Sequence, residues 1–187
     1  MNFTLTDEQR MLRDMVERLA VERHSFAVRR TAVAEHHGFH RPFWTELGAL
    51  GILGATLPED CGGLGAGSVA AMLIMSAFGK HLVISPYVST VICAAGLIAR
   101  VGTLAQRERY LASIVEGKTI VAFAYAERND DAPVNRVEAL ASPVAGGFEI
   151  NAHKTLVVGA IWSGQVMVVT RIAGEAEAIA AFLLPMN

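Results

Sequence analysis

The sharpest change of character in the chain falls in AFAYAERNDDAP, residues 122–133. Apolar and small residues run directly into Glu127, Arg128, Asn129, Asp130 and Asp131, and Pro133 closes the burst. Three carboxylates and a guanidinium at the end of an apolar run fit two situations. One is a sheet end turning into water. The other is a buried strand that delivers backbone groups and charges to a ligand. The residue types alone leave both open.

Other stretches carry weaker chemical signals. GGLGAG (62–67) has the glycine content of a phosphate loop. A dinucleotide loop, however, needs a strand before it and a helix after it. The preceding LGALGILGATLPED has the pattern of a helix end and a turn, and no Lys-Ser/Thr follows. An inter-helix loop is the expectation. EHHGFH (35–40) holds three histidines, but neighbours on a helix point about 100° apart. Beyond Glu35 no further carboxylate and no cysteine completes a ligand set there, so no metal site is expected. No serine or cysteine sits in a nucleophile motif, and no catalytic residue is assigned.

These segments need elements to position them. Thr6-Asp7-Glu8-Gln9 is a capping box that opens a helix, with Met11, Leu12, Met15, Val16 and Leu19 on one stripe. Pro42 stands at a second helix start, with Phe43, Leu47 and Leu50 at core spacing. Ser68 is placed to cap a helix through Gly79. Ser85-Pro86 opens another that stops at Gly102, and Thr103 with Gln106 forms a second capping box. After Gly117 the pattern changes to short β-branched and aromatic runs split by Gly, Pro or Asn, among them KTIVAFAYAE, GGFEINA, KTLVVGA and GQVMVVTRI. Ala145-Gly146-Gly147 has hairpin-turn composition. The fold class expected is α+β, with an all-α domain at 1–117 and the start of an antiparallel sheet or barrel at 118–187. That second domain is expected to be incomplete, since no element follows AFLLPM.

Composition bounds the function classes. The 187 residues are 52% hydrophobic and 18% charged, which excludes a disordered chain. A formal charge of -2 gives no global attraction to nucleic acid or anionic membrane. Cys61 and Cys93 stand outside any C-x-x-C spacing, which fits a reducing, cytoplasmic setting. Residues 82–99 carry no charge, but a helix opening at Pro86 is short for a bilayer, so a buried core helix is expected and no membrane span.

With these elements in order, the chain resembles the acyl-CoA dehydrogenase family. FTLTDEQRMLRDMVERLA is similar to the family's opening helix, and FWTELGALGILGATLPEDCGGLGAG to its W-x-x-L-G…P-E-x-x-G-G-x-G segment. VGTLAQRERYLASIVEGKTIVAFAYAE resembles the passage leading to its T-E-P motif, and GGFEINAHKTLVVGA its G-x-Y-x-L-N-G-x-K-x-W-I-T-N-G hairpin. The resemblance implies an N-terminal helical domain, a middle β-domain and a C-terminal helical bundle. It implies FAD as cofactor, an acyl-CoA thioester oxidised at Cα–Cβ, and a catalytic carboxylate from the C-terminal helices.

Position by position, the resemblance assigns Phe123, Tyr125, Ala126, Glu127, Leu156 and Val158 to the cofactor, and Asp131 and Ala132 to the substrate. Glu127 and Lys154 keep the family's residues. Ala126 stands for a Thr, Arg128 for a Pro, Asn129 and Asp131 for glycines, and Ala132 for a Ser. Leu156 stands for the Trp that walls the flavin, and Val158 for a Thr near it. Lost hydroxyls and an added Asp imply weakened FAD binding, while Arg128 could replace a phosphate contact. The expected protein is the N-terminal portion of a dehydrogenase subunit in a homo- or hetero-oligomer, inactive by itself. The alternatives are a non-catalytic partner or scaffold with a degenerate flavin site, and a bare helical packing module. Ser85–Ser89 fits either an acyl tunnel wall or core packing.

Overall fold

The structure, a computed structural model, describes residues 4–35, 37–128, 136–175 and 178–186. It divides into two compact units, Met1–Thr119 and Ile120–Asn187.

The first unit is helical. Helix α1 (Asp7–Arg23) starts at Thr6, whose hydroxyl accepts from the Gln9 amide while the Gln9 side chain accepts from the Thr6 amide. Both halves of the expected capping box are therefore formed. Val16 and Leu19 of the stripe are buried, but Met11 is 71% exposed, because α1 faces the core along its C-terminal half only. Helix α2 (Phe26–Glu35) follows, then α3 (Arg41–Ala49) with proline in its first turn. Phe43, Trp44 and Leu47 of α3 are buried, whereas Leu50 lies past the helix end and is exposed. Helix α4 (Gly67–Lys80) packs on α1. Its N-cap is Ala66 and no side chain caps it, so Ser68 does not have the expected capping role. The uncharged stretch resolves into a turn, a π-helix at Val88–Ala95 and α5 (Gly96–Val101). Among the described residues no helix is long and apolar enough to cross a membrane. Helix α6 (Leu104–Val115) begins with the expected Thr103–Gln106 capping box.

Close approaches at glycines shape this unit. A Cβ at Gly48 would lie 2.7 Å from the Glu116 carbonyl group, so α3 meets the end of α6 only through glycine. A Cβ at Gly63 would lie 2.1 Å from the Leu57 oxygen. The glycine-rich loop is closed on itself: the amides of Gly63, Leu64, Gly65 and Ala66 donate to Pro58, Gly54, Leu57 and Ala55. Donors engaged in this way are not available to a phosphate. The core between the helices contains a file of rings, His24–Phe43 at 5.3 Å, Phe43–Phe78 at 6.1 Å and Phe78–Tyr87 at 5.4 Å.

Among the described residues the second unit is a five-stranded sheet: β1 (Val121–Ala124), β2 (Leu140–Val144), β3 (Gly147–Asn151), β4 (Gln165–Ile172) and β5 (Ile179–Pro185). β2–β3 and β4–β5 are antiparallel, the first around an Ala145-Gly146 turn. The antiparallel expectation fails for β1–β4 and β2–β4, which are parallel. Antiparallel hairpins need short turns, and only those two pairs have them; long connections carry the chain back to run parallel. β5 lies along β4 from Gln165 to Arg171, which fills one edge. β1 and β2 therefore share the other edge in succession, at 165–168 and at 171–172. Phe148 on β3 and Phe182 on β5 meet with ring centroids 5.1 Å apart. A flat sheet would separate their strands by about 14 Å, so the sheet curls on itself.

His24, at the end of α1, is 2% exposed, and among the described residues neither ring nitrogen has a hydrogen-bond partner. Burial, then the nearby His40 and Arg29, push its pKa below the ordinary 6.5. The unfolded chain therefore takes up this proton first as pH falls. The stability that neutral His24 allows is present above about pH 6.5 and is lost as pH falls through the folded value. Denaturant midpoints measured from neutral to mildly acidic pH should fall in the wild type and fall less in His24→Leu.

Candidate functional site

β1 stops at Ala124, where its pairing with Val168 ends. β2 takes up the same edge of β4 only at Leu140, opposite Arg171. The junction between the two strands is filled by a side chain. The Glu127 carboxylate accepts from the Glu138 amide at 2.6 Å, the Ala139 amide at 2.8 Å and Lys154 Nζ at 2.7 Å. Lys154 Nζ also donates to the Tyr125 carbonyl at 3.2 Å. From the β2 side, the Ala139 carbonyl accepts from the Arg171 amide at 2.8 Å. One carboxylate thus joins the end of β1, the start of β2 and the segment after β3.

The Lys154 and Glu127 side chains are 6% and 10% exposed. Burial pushes the Glu127 carboxyl up, but the Lys154 hydrogen bond, the two amides and the lysine charge outweigh it and hold it below the ordinary carboxylate range. Removing either partner alone would leave a buried charge, at a cost on the order of 3–5 kcal/mol.

A second tie, from the Thr155 amide to the Ala126 carbonyl at 3.0 Å, brings residues 154–158 against the strand end. The carbonyls of Tyr125 and Ala126 are thus both taken by protein donors. Among the described residues, the amides of Ala126 and Glu127 have no protein acceptor. The strand end therefore offers donors.

Most of the residues assigned to the cofactor gather here. Phe123 lies on β1 with its ring 6.1 Å from Tyr125, which is 60% exposed. Ala126 is half-buried. Leu156 is exposed and has φ of 50°, a left-handed conformation uncommon for leucine. That residue breaks KTLVVGA, expected as a strand, into an irregular segment and a short 3-10 turn at Ala160–Trp162. Val158, also exposed, precedes the turn, which packs on β1. Glu127 differs from the others: its carboxylate is held by protein donors, and only its amide is open. The substrate assignments Asp131 and Ala132, with Asn129 and Asp130, lie outside the described residues. The pairing of Glu127 with Lys154 was not foreseen. Its signal was the retention of both residues while their neighbours in the two motifs had changed.

Residues 6–118 match the family model of the acyl-CoA dehydrogenase N-terminal domain. Acyl-CoA dehydrogenase FadE12 of Mycobacterium tuberculosis is 33% identical over 144 residues, 74% of this chain and 36% of that protein. Benzylmalonyl-CoA dehydrogenase of Aromatoleum aromaticum is 29% identical over 98% of this chain and 48% of its own length. The crystal structure of the ChsE4–ChsE5 complex from Mycobacterium tuberculosis superposes with a TM-score of 0.87 at 25% identity, over 99% of this chain and 49% of that one. The chain thus spans less than half the length of each of these relatives.

The lowered Glu127 pKa carries a pH signature. Its stabilisation is complete above about pH 4.5, the unshifted value, and is lost as pH falls through the folded value. Acid titration of the denaturant midpoint should show this loss in the wild type. Glu127→Gln should be less stable at neutral pH and show a shallower acid decline.

Proposed function

The chain belongs to the acyl-CoA dehydrogenase family, and from that premise we propose that it is the N-terminal portion of an FAD-dependent enzyme that desaturates an acyl-CoA thioester between Cα and Cβ. The observation that carries this reading is the strand end at Tyr125–Glu127: the Tyr125 and Ala126 carbonyls are taken up, the Ala126 and Glu127 amides have no protein acceptor among the described residues, and Tyr125, Leu156 and Val158 are exposed on the two tied segments. The flavin ring has acceptor atoms along one edge and apolar faces, and such a surface fits both. The amides of Ala126 and Glu127 would hold the ring edge. Tyr125, backed by Phe123, and Leu156 and Val158 would lie against its faces. The resemblance assigns Asp131 and Ala132, which lie outside the described residues, to the substrate. When bound, the flavin supplies the two-electron acceptor for the hydrogen leaving the β-carbon. Cys61 and Cys93, both free thiols, agree with a reducing cytoplasmic setting.

A second reading, a partner subunit with a degenerate flavin site, is favoured by Ala126 and Val158. Neither side chain can donate a hydrogen bond, where the family has threonine. The likeness to a complex of ChsE4 with ChsE5 supports an assembly with a second dehydrogenase subunit under either reading.

FAD titration of the chain separates them. Ala126→Thr with Val158→Thr should tighten binding, two hydrogen bonds contributing roughly 1–3 kcal/mol together. Unchanged affinity in a folded double variant would favour the partner-subunit reading.

Turnover gives a further expectation. Abstraction of the α-proton needs a free base aimed at one face of the substrate, with the acceptor on the other. Among the described residues of the site, Glu127 is held by three donors and cannot serve. Supplied with FAD, an electron acceptor and acyl-CoAs of several lengths, the 187-residue chain alone should show no sustained acceptor reduction. Turnover that disappears in a folded Glu127→Gln variant would overturn this assignment.

A further inference from the structure

The strand end proposed to receive the flavin is not rigid through sheet pairing. β1 leaves the β4 edge at Ala124, so Tyr125, Ala126 and Glu127 extend beyond the ladder. Leu156, on the facing segment, has a backbone conformation that a leucine does not hold without support. One ammonium group and one neighbouring backbone bond tie the two segments together. Lys154 Nζ reaches Tyr125 O and Glu127 Oε1 together, and Thr155, the next residue, donates to Ala126 O. Three consecutive residues of the strand end are thereby tied to two consecutive residues of the opposite segment. Through the Glu127 carboxylate the same group is bound to the start of β2.

We propose that Lys154 and Glu127 are positioning residues for the flavin, holding the Ala126 and Glu127 amides and the Leu156–Val158 segment at one fixed spacing and coupling that spacing to Glu138 and Ala139, the residues that lead into β2. This rests on the flavin reading above. Neither side chain touches the cofactor. Their effect is to fix the separation between the donors at the ring edge and the apolar residues on its face. A ring that meets both surfaces binds tightly only while that separation is held.

The test compares wild type, Lys154→Met and the double variant Glu127→Gln/Lys154→Met in the full chain, with two readouts. The first needs no flavin: amide hydrogen exchange at Thr155, whose N–H donates to Ala126 O, and at Glu138 and Ala139. The second is FAD titration with the visible absorbance spectrum of the bound flavin. In Lys154→Met, exchange at Thr155 should speed up at least about tenfold, and FAD affinity should fall at least about tenfold with a blurred flavin band. The double variant lacks the isolated buried carboxylate. Its denaturation midpoint should recover toward wild type while Thr155 exchange and FAD affinity stay impaired.

Unchanged Thr155 exchange in Lys154→Met overturns the positioning role whatever the flavin does. Faster exchange with wild-type FAD affinity overturns it as well, because the spacing would then not matter to the ring. Joint recovery of midpoint, exchange and affinity in the double variant reduces the pair to a stabilising contact and overturns it. A wild-type chain that leaves the flavin spectrum unperturbed at every concentration, with Thr155 still released in Lys154→Met, overturns the flavin reading itself and with it the role assigned here.

Discussion

Two opposite charges can be taken out of water together only if each is also hydrogen-bonded, and Glu127 with Lys154 meets that condition with little slack. The carboxylate has three protein donors and the ammonium two protein acceptors. The organisation of the second unit follows from this. β4 has one edge filled by β5, so the other must serve both β1 and β2. Two strands laid end to end on one edge leave backbone groups at the junction that no ladder can satisfy. A carboxylate suits that gap, because it accepts from several amides at once. Once it is buried there, a cation must accompany it, and the cation reaches the junction only if the segment after β3 is drawn in. The opposition of Tyr125–Glu127 to Lys154–Val158 is therefore a consequence of how the sheet satisfies its own backbone.

The helical unit rests on a different constraint, close backbone approach. Gly48 admits the end of α6, and Gly63 lets the loop before α4 fold onto the turn that precedes it. Every amide from Gly63 to Ala66 then finds a carbonyl between Gly54 and Pro58. A segment with the composition of a phosphate loop becomes a self-satisfied brace, and the difference lies in where its N–H groups are directed.

How much could be read in advance depended on how local each determinant was. The Thr6 and Thr103 capping boxes were legible because the partners sit three residues apart and the geometry is fixed by the helix itself. The Ala145-Gly146 turn was legible for a similar reason. The parallel pairings of β4 were not, since nothing in Val121–Ala124 specifies a partner beginning at Gln165. Ser68 carried the composition of a cap, but α4 begins at Gly67 and the serine falls inside it. KTLVVGA has the apolar run of a strand, and only the left-handed backbone at Leu156 reveals why it is not one. At the candidate site, the residues were nameable from motif resemblance alone. Their arrangement was hidden because the role of Lys154 depends on a contact with a residue far earlier in the chain.

The position of β4 also sets the order in which the second unit can form. As the chain leaves the ribosome, β1 emerges long before β4, the strand it pairs with, and can join the sheet only after β4 has followed. The β2–β3 hairpin closes locally, but it too waits for β4 before joining anything. Nearly all sheet formation is then deferred to one late strand, and the loop-closure entropy of the long connections is met in a single step. Until then the apolar run Val121–Ala124 lacks the sheet partner that it has in the folded unit. The interval lengthens with every residue placed between β3 and β4, because sheet closure waits on that one strand.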